Sequence, residues 1–197
     1  IFDLSDPSAP ALIGGVSEWG SLHDAQALIY NGPDAAHVGK EILFAAGGES
    51  LWIFDITDAS DVHLIGTSTY ANPHFSHQVW VSDTHDHAFL GDELDETSAG
   101  GATRTVVFDL TDLDHPQEVE VHVAETTASD HNQCTHGEWL FQSNYRAGLR
   151  MLSDAWPQPN VLTERGFFDP LEESFGPGFQ GAWSHVICEE DGVLAFT

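Results

Sequence analysis

Four histidines recur along the chain at a constant interval. The spacing is 54 residues between neighbours in the set His23, His77, His131 and His185. Imidazole nitrogens that converge on one point bind Zn²⁺ or Mn²⁺, and a positioned imidazole can also act as a general acid or base. A third role is structural, because a histidine at a repeated position can hydrogen-bond the backbone of the next repeat. The sequence leaves these three roles open.

Polar residues adjoin the repeated histidines. If three repeats each supply one ligand, a fourth coordination position is left for water or substrate. The neighbouring side chains are candidates to orient the second ring nitrogen of each ligand; they are Asp24, Gln78, Asp130 and Asn132. His185 is the least certain ligand, because a shortened and a lengthened segment in the third repeat cancel to restore the spacing.

A second signature repeats with the histidines. The pattern F-D-[LI]-[ST]-D begins at Phe2, Phe54 and Phe108, and a weaker copy runs from Arg150 to Ala155. Aspartates of this kind are typical of turns between strands, because a short carboxylate accepts hydrogen bonds from the backbone that follows it. We expect the aspartates of the three strong copies to stabilise such turns.

Each repeat divides into four short runs that are typical of strands. In the second repeat the runs are HQVWVSD, HAFLGDE, RTVVFDL and QEVEVHV, with alternating apolar residues or many β-branched and aromatic ones. Four antiparallel strands in a unit of about 50 residues are typical of a β-propeller blade. The sequence therefore predicts an all-β propeller with four-stranded antiparallel blades, and a right-handed β-helix is the weaker alternative. The first strand of each blade lines the central channel, so the repeated histidines are expected on one arc.

We expect one propeller segment of about four blades over residues 1–197. It comprises a partial blade at 1–20, blades at about 21–70, 75–124 and 129–168, and a partial blade at 183–197. Both ends of the sequence lie inside a blade, so we expect the chain to be an excerpt of a longer protein whose remaining blades complete the ring.

Three other groups of residues could bind a ligand or form a cross-link, but a structural role is favoured for each. The acidic run GDELDE offers carboxylates to Ca²⁺ from Asp92, Glu93, Asp95 and Glu96. A solvated acidic hairpin is the favoured alternative for this run. Cys134 and Cys188 could form a disulfide, although two buried free thiols are favoured. The aromatic residues between Phe167 and Trp183 could border a binding site, with a small satellite core as the favoured reading.

The net charge limits the function classes. The chain has 32 acidic residues against 5 basic ones, for a formal net charge of −27. Such a surface repels phosphate, so nucleic acid is excluded as a partner. The acidity is consistent with a high-salt or marine habitat or with divalent-cation binding. No apolar run reaches the roughly 18 residues needed to span a membrane. Neither a G-x-S-x-G motif nor a phosphate-binding glycine loop is present.

Several runs resemble the choice-of-anchor B family, which is related to LVIVD-repeat proteins. They are HDAQALIYNGPDAAHVGKEILF, SHQVWVSD, GDELDETSAGGATRTVVFDLTDLDHP, DHNQCTHGEWLFQSNYRAGLRML and FQGAWSHV. The resemblance implies a bacterial or archaeal protein that is exported and held at the cell surface, with about seven blades in total. The chain departs from the family at His185, where members usually lack a histidine.

Two function classes follow. The first is a non-catalytic cell-surface or extracellular module that binds a protein, a glycan or ions through one face of the propeller. The second is a metal-dependent lyase or hydrolase that acts on an extracellular polysaccharide or similar polymer, with His23, His77 and His131 as ligands. The first class is favoured, because only the histidines indicate catalysis.

Overall fold

The computed structural model describes residues 1–17, 19–153, 161–169, 171 and 176–188, together with the backbone of 193–196. Antiparallel sheet dominates this part of the chain, and its one helix, α1, spans Asp95–Ser98. The prediction of an all-β fold built from four-stranded antiparallel sheets is confirmed. The weak copy of the repeated pattern at 150–155 lies partly outside the described residues.

Three complete sheets and two pairs of strands follow one another along the chain. The first pair is β1 (Phe2–Asp3) and β2 (Ala11–Leu12). The first complete sheet is β3 (Asp24–Ile29), β4 (Glu41–Gly47), β5 (Ser50–Asp55) and β6 (His63–Thr69). The second is β7 (Ser76–Val81), β8 (His87–Asp92), β9 (Arg104–Asp109) and β10 (Gln117–Val123). The third is β11 (Gln133–His136), β12 (Trp139–Ser143), β13 (Leu149–Ser153) and β14 (Thr163–Phe168). The second pair is β15 (His185–Cys188) and β16 (Val193–Phe196).

Local sequence explains the turns of each sheet. Gly48 and Gly137 adopt positive φ angles of 60° in two-residue hairpin loops, where glycine avoids steric strain. The carboxylate of Asp55 accepts a hydrogen bond from the Thr57 amide at 3.0 Å, and that of Asp109 accepts one from Thr111 at 2.7 Å. The expectation that the repeated aspartates stabilise turns is confirmed at these positions.

The sheets pack against one another through separate apolar clusters. The largest cluster joins the first and second complete sheets and contains Phe44, Ile53, Val79 and Leu90, all fully buried. The innermost strands are neighbours, since β7 contacts both β3 and β11. Consecutive sheets therefore present their first strands side by side, which is the arrangement that a propeller requires.

Two smaller expectations are also resolved. Cys134 and Cys188 are free thiols, as favoured, but the expectation that both are buried is wrong, because Cys134 is half-buried and Cys188 is exposed. The aromatic side chains after β13 do not form a satellite core, because four of them are more than half exposed: Phe167, Phe168, Phe179 and Trp183. Phe175 lies outside the described residues. Among the residues described, no helix has the length and apolar character needed to cross a membrane.

Candidate metal centre

The first strands bring three of the repeated histidines together at one end of the sheets. His23 directly precedes β3, His77 lies in β7, and His131 lies two residues before β11. The ring centroids of His23 and His77 are 4.4 Å apart, and those of His77 and His131 are also 4.4 Å apart. The three imidazoles thus form a short arc across three consecutive sheets.

Backbone carbonyl groups orient the outer two rings of this arc. Nδ1 of His23 lies 3.1 Å from the carbonyl oxygen of His77. Nδ1 of His131 lies 2.5 Å from the carbonyl oxygen of Trp183. A carbonyl oxygen only accepts, so Nδ1 carries the hydrogen and Nε2 of each neutral ring keeps its lone pair. The central ring differs, because Nδ1 of His77 is buried without a hydrogen bond of ordinary geometry. The backbone of His131 lies close enough to raise the pKa of His77, but this effect is smaller than the lowering by burial.

Trp183, and not His185, occupies the next position on the arc. The indole of Trp183 stacks on the imidazole of His131, with ring centroids 5.1 Å apart. His185 instead lies within hydrogen-bond distance of two side chains of the third sheet: its Nδ1 is 2.8 Å from Ser143 Oγ, and its Nε2 is 3.0 Å from Cys134 Sγ. The expectation that His185 extends the arc is therefore corrected. The reason is the length of the intervening segment. The residue that takes the position equivalent to His131 before the next first strand, β15, is Trp183, which lies 52 residues after His131 and not 54.

Glu93 brings a carboxylate to the rings of His77 and His131. It follows β8 directly and belongs to the same end of the second sheet as His77. Its Oε2 lies 3.7 Å from Nε2 of His77, and its Oε1 lies 3.8 Å from Nε2 of His131. One ligand atom from each of the three residues lies within 4.8 Å of the others, a spacing that one metal ion can bridge.

The electrostatics of the group favour a cation between its members. Burial lowers the pKa of His77 to about 3, with further lowering by His131 and His23, and burial also lowers the pKa of His131. Both rings are therefore neutral at neutral pH. The lone pair of His131 Nε2 then faces a carboxylate oxygen, and two acceptors repel unless a positive charge lies between them. Metal bonds of about 2.1 Å in a tetrahedral site separate ligand atoms by roughly 3.4 Å, close to the observed distances.

Tyr145 holds the carboxylate in place. Its hydroxyl donates a hydrogen bond of 2.7 Å to Glu93 Oε1. The Tyr145 backbone is itself fixed by paired hydrogen bonds with Ala182, at 2.8 and 2.9 Å. Burial, followed by the bond to Glu93, raises the pKa of Tyr145, so the phenol stays protonated and remains a donor. Sequence reasoning missed this residue, whose positive φ of 39° and position in the loop after β12 are visible only in the structure.

The predicted orienting residues act elsewhere. In the described part of the chain, none of them bonds a ring nitrogen of the arc, because their side chains leave the backbone in other directions from the histidines beside them. Gln78 Oε1 accepts from the Gln133 amide at 2.6 Å, and Asn132 Nδ2 donates to Ser184 Oγ at 3.2 Å. The carboxylate of Asp24 accepts from the amide of Ala25. The fourth residue, Asp130, is buried.

The acidic run GDELDE is divided among different partners. Asp92 accepts hydrogen bonds from the hydroxyl of Tyr70 and from the amides of His74 and Phe75, at 2.7–2.8 Å. Glu93 belongs to the candidate metal centre, while Asp95 and Glu96 lie in α1 and are buried. The four carboxylates do not converge as one calcium site, because the turn after β8 sends them in different directions. The solvated hairpin is also wrong, since three of the four are almost fully buried.

A second group of potential ligands lies in loops at the opposite ends of the strands. It consists of Asp34 and His37, after β3, and Asp114, after β9. Nε2 of His37 is 3.2 Å from Asp114 Oδ2 and 3.8 Å from Asp34 Oδ2. A single N–H donated to Asp114 satisfies the shorter contact, so this group needs no metal ion. Sequence reasoning did not identify it, because its members come from different repeats.

Comparisons with known proteins support the architecture. No protein-family model matches the chain, and no curated protein matches it. Solved structures do match; one is the crystal structure of a structural-genomics target from Lactobacillus plantarum. That match has a TM-score of 0.55 and 16% identity, and it covers 75% of this chain but only 41% of the other. At this identity the similarity supports the fold alone. The resemblance to the choice-of-anchor B family stays a prediction.

Proposed function

We propose that this chain is part of a β-propeller binding module that holds a divalent metal ion between His77, Glu93 and His131. The observation that carries the proposal is the approach of neutral imidazole nitrogens to the Glu93 carboxylate at 3.7 and 3.8 Å. These distances are too long for hydrogen bonds and suit two ligands of one ion. Tyr145 supports the arrangement by holding one carboxylate oxygen.

The donor set favours a transition metal. Two imidazoles and one carboxylate are typical ligands of Zn²⁺ or Mn²⁺, whereas Ca²⁺ takes oxygen ligands almost exclusively. Three protein ligands leave at least one coordination position for water or for an oxygen atom of a bound molecule. The metal would also supply local positive charge on a chain whose net charge is −27.

The binding partner that we propose is an extracellular protein or glycan. The aromatic surface beside the arc supports this, because Trp183 and Phe179 are 59% and 53% exposed and contact His131 and Tyr145 respectively. Exposed aromatic rings beside a polar site are frequent in recognition surfaces. Location at a prokaryotic cell surface, a ring of about seven blades and adaptation to salt or sea water belong to the same proposal and rest on the resemblance and on the acidity.

A metal-dependent lyase or hydrolase acting on a polysaccharide is the second candidate. One observation favours it: the imidazole of His23 is solvent-exposed and lies 4.4 Å from the ring of His77, where it could serve as an acid–base group beside an open coordination position. Metal-loaded protein that cleaves an extracellular polysaccharide, and loses that activity in a His23→Ala variant with normal metal content, would decide for this candidate.

Elemental analysis tests the metal site directly. Protein without a histidine tag is loaded with Zn²⁺ or Mn²⁺, dialysed against metal-free buffer and analysed beside the variants His77→Ala and His23→Ala. We expect one metal ion per chain in the wild type, loss of that ion in His77→Ala, and retention in the matched control, because His23 lies on the arc but outside the ligand group. Wild-type protein without stoichiometric metal, or equal loss in both variants, would contradict the proposed centre.

A further inference from the structure

The loop at 176–184 leads into β15 and carries two of the exposed aromatic rings, so we call it the aromatic loop. Arg146, in the loop after β12, holds its first half. Nε of Arg146 donates to Oε1 of Gln180 at 2.7 Å, Nη1 donates to the carbonyl oxygen of Pro177 at 3.1 Å, and Nη2 also donates to Gln180. Arg146 is one of only five basic residues in the chain. All three of its guanidinium nitrogens nevertheless serve this loop.

The third sheet also fixes the second half of the aromatic loop. Ala182 and Tyr145 exchange two backbone hydrogen bonds, at 2.8 and 2.9 Å, and Asn132 Nδ2 donates to Ser184 Oγ at 3.2 Å. Gly181 has a φ of 106° and packs on the carbonyl group of Tyr145, where a Cβ atom would overlap the oxygen. Glycine alone tolerates both this contact and this backbone angle. The sequence GPGFQGAW therefore specifies the path of the loop.

Two rings of this fixed loop stay exposed beside the candidate metal centre. They are Trp183 and Phe179, and they end a row of four rings whose inner members are His131 and Tyr145. Successive ring centroids along the row are 5.1, 5.0 and 5.3 Å apart. Burial of an aromatic ring stabilises a fold, so a backbone fixed with two large rings more than half exposed forgoes that stabilisation. Rings held in position on a surface lower the entropy cost of binding, which is typical of a recognition site.

We propose that Trp183 and Phe179 bind a neutral glycan by stacking on the apolar C–H faces of its sugar rings. His131 covers one face of the Trp183 indole, in a stacked arrangement with an interplanar angle of 29°. Because the indole is more than half exposed, its opposite face is available to a ligand. A sugar ring suits this surface, since its C–H groups pack on the indole while its hydroxyl groups keep their hydrogen bonds to water.

Charge favours a neutral glycan over the other partners. The net charge of −27 repels polysaccharides that carry uronic acids or sulfate groups. A basic protein surface would find neutral rings in this row, and thus no charge complementarity at the point of contact. The inference rests on the proposed function, because it names the partner of that binding module. It does not require the ion, because neither exposed ring belongs to the group of potential metal ligands.

Affinity electrophoresis through gels that contain a dissolved polysaccharide tests this inference. Hydroxyethyl cellulose and galactomannan are the neutral probes, and carboxymethyl cellulose has the backbone of the first probe with added carboxylates. We expect the neutral probes to retard the wild type and carboxymethyl cellulose to have little effect. Trp183→Ala should weaken binding by about 10-fold or more, and Phe179→Ala by less. Phe167→Ala is the matched control, because Phe167 is a similarly exposed ring on β14, outside the aromatic loop.

Three results would overturn the inference. No retardation by either neutral probe would leave a protein as the proposed partner. Equal affinity in Trp183→Ala and the wild type would exclude stacking, and binding to carboxymethyl cellulose as strong as to hydroxyethyl cellulose would exclude selection by charge. Circular dichroism checks that the variants fold, which is expected because Trp183 accepts the His131 hydrogen bond through its backbone. His77→Ala should lose the metal ion and retain glycan binding, so failure of the metal centre and failure of this inference are distinguishable.

Discussion

The carbonyl oxygen of Trp183 accepts a 2.5 Å hydrogen bond from Nδ1 of His131. The same bond, at 3.1 Å, joins His23 to the carbonyl oxygen of His77 two sheets earlier. Trp183 therefore holds the place on the arc that the spacing of 54 residues assigns to His185. His23 and His131 therefore orient their rings on the backbone of the next sheet, and the Nε2 lone pair of His131 is left for the proposed metal ion.

The first prediction concerns His185. Its ring contacts Ser143 Oγ and Cys134 Sγ, away from the proposed metal centre. The variant His185→Ala leaves these two groups without their partner, so we expect a loss of about 1–3 kcal/mol in the free energy of unfolding. Metal content should not change. Urea unfolding and elemental analysis measure both quantities, and His136→Ala at an exposed position is the control. Loss of metal in His185→Ala would show that His185 acts as a ligand.

The second prediction concerns Tyr145. Replacing it by phenylalanine removes the hydroxyl that holds Glu93 Oε1 and leaves the ring in place. Loss of a hydrogen bond behind a metal ligand typically lowers metal affinity by about 10-fold. Competition with a chromophoric chelator measures the affinity. Tyr70→Phe is the matched control, because its hydroxyl donates to Asp92 instead. Equal affinities in Tyr145→Phe and the wild type would show that Glu93 is not a ligand.

The third prediction concerns the contacts between sheets. Gln78 Oε1 accepts from the amide of Gln133 at 2.6 Å in a buried position, and Gln26 Oε1 accepts from the amide of Val81 at 2.7 Å in a partly buried one. Removing an acceptor costs more where water cannot replace it. We expect Gln78→Ala to lower the free energy of unfolding by about 1–3 kcal/mol, and Gln26→Ala by less. Denaturant titration measures both losses in the free energy of unfolding. A larger loss in Gln26→Ala than in Gln78→Ala would contradict this explanation.

The fourth prediction concerns acid stability. Burial lowers the pKa of His185 to about 4, whereas an unfolded chain titrates histidine near 6.5. The unfolded state therefore binds more protons than the folded state between these values, and the stabilising contribution of His185 falls as the pH decreases from about 6.5 to about 4. The slope is at most about 1.4 kcal/mol per pH unit, and the contribution is constant above about pH 7.

The difference between wild type and His185→Ala isolates this effect. Buried carboxylates such as Glu96, whose pKa is raised, act with the opposite sign, but they are present in both proteins and cancel. Unfolding free energies measured from about pH 8 to about pH 4 should converge as the pH falls. Parallel profiles would show that His185 is protonated as readily in the folded state as in the unfolded one.

Local patterns in the sequence predict much of the architecture. Alternation of apolar residues, the repeated F-D-[LI]-[ST]-D turns and the spacing of the histidines are encoded within each repeat. They predict four-stranded antiparallel sheets, and His23, His77 and His131 do lie on one arc. These features are readable because strand formation and turn geometry depend on residues a few positions apart.

Only the tertiary structure decided the composition of the site. Trp183 takes the position expected for His185, because the length of the chain between β11 and β15 differs from that of the earlier repeats. The constant spacing of the histidines does not reveal this difference. Glu93 and Tyr145 join the histidines because loops from neighbouring sheets converge at one end. The fold also divides the carboxylates of the acidic run, because it buries Asp95 and Glu96 near Asp130, which is distant in sequence. Contacts between repeats depend on how the sheets pack, and no local pattern specifies that packing.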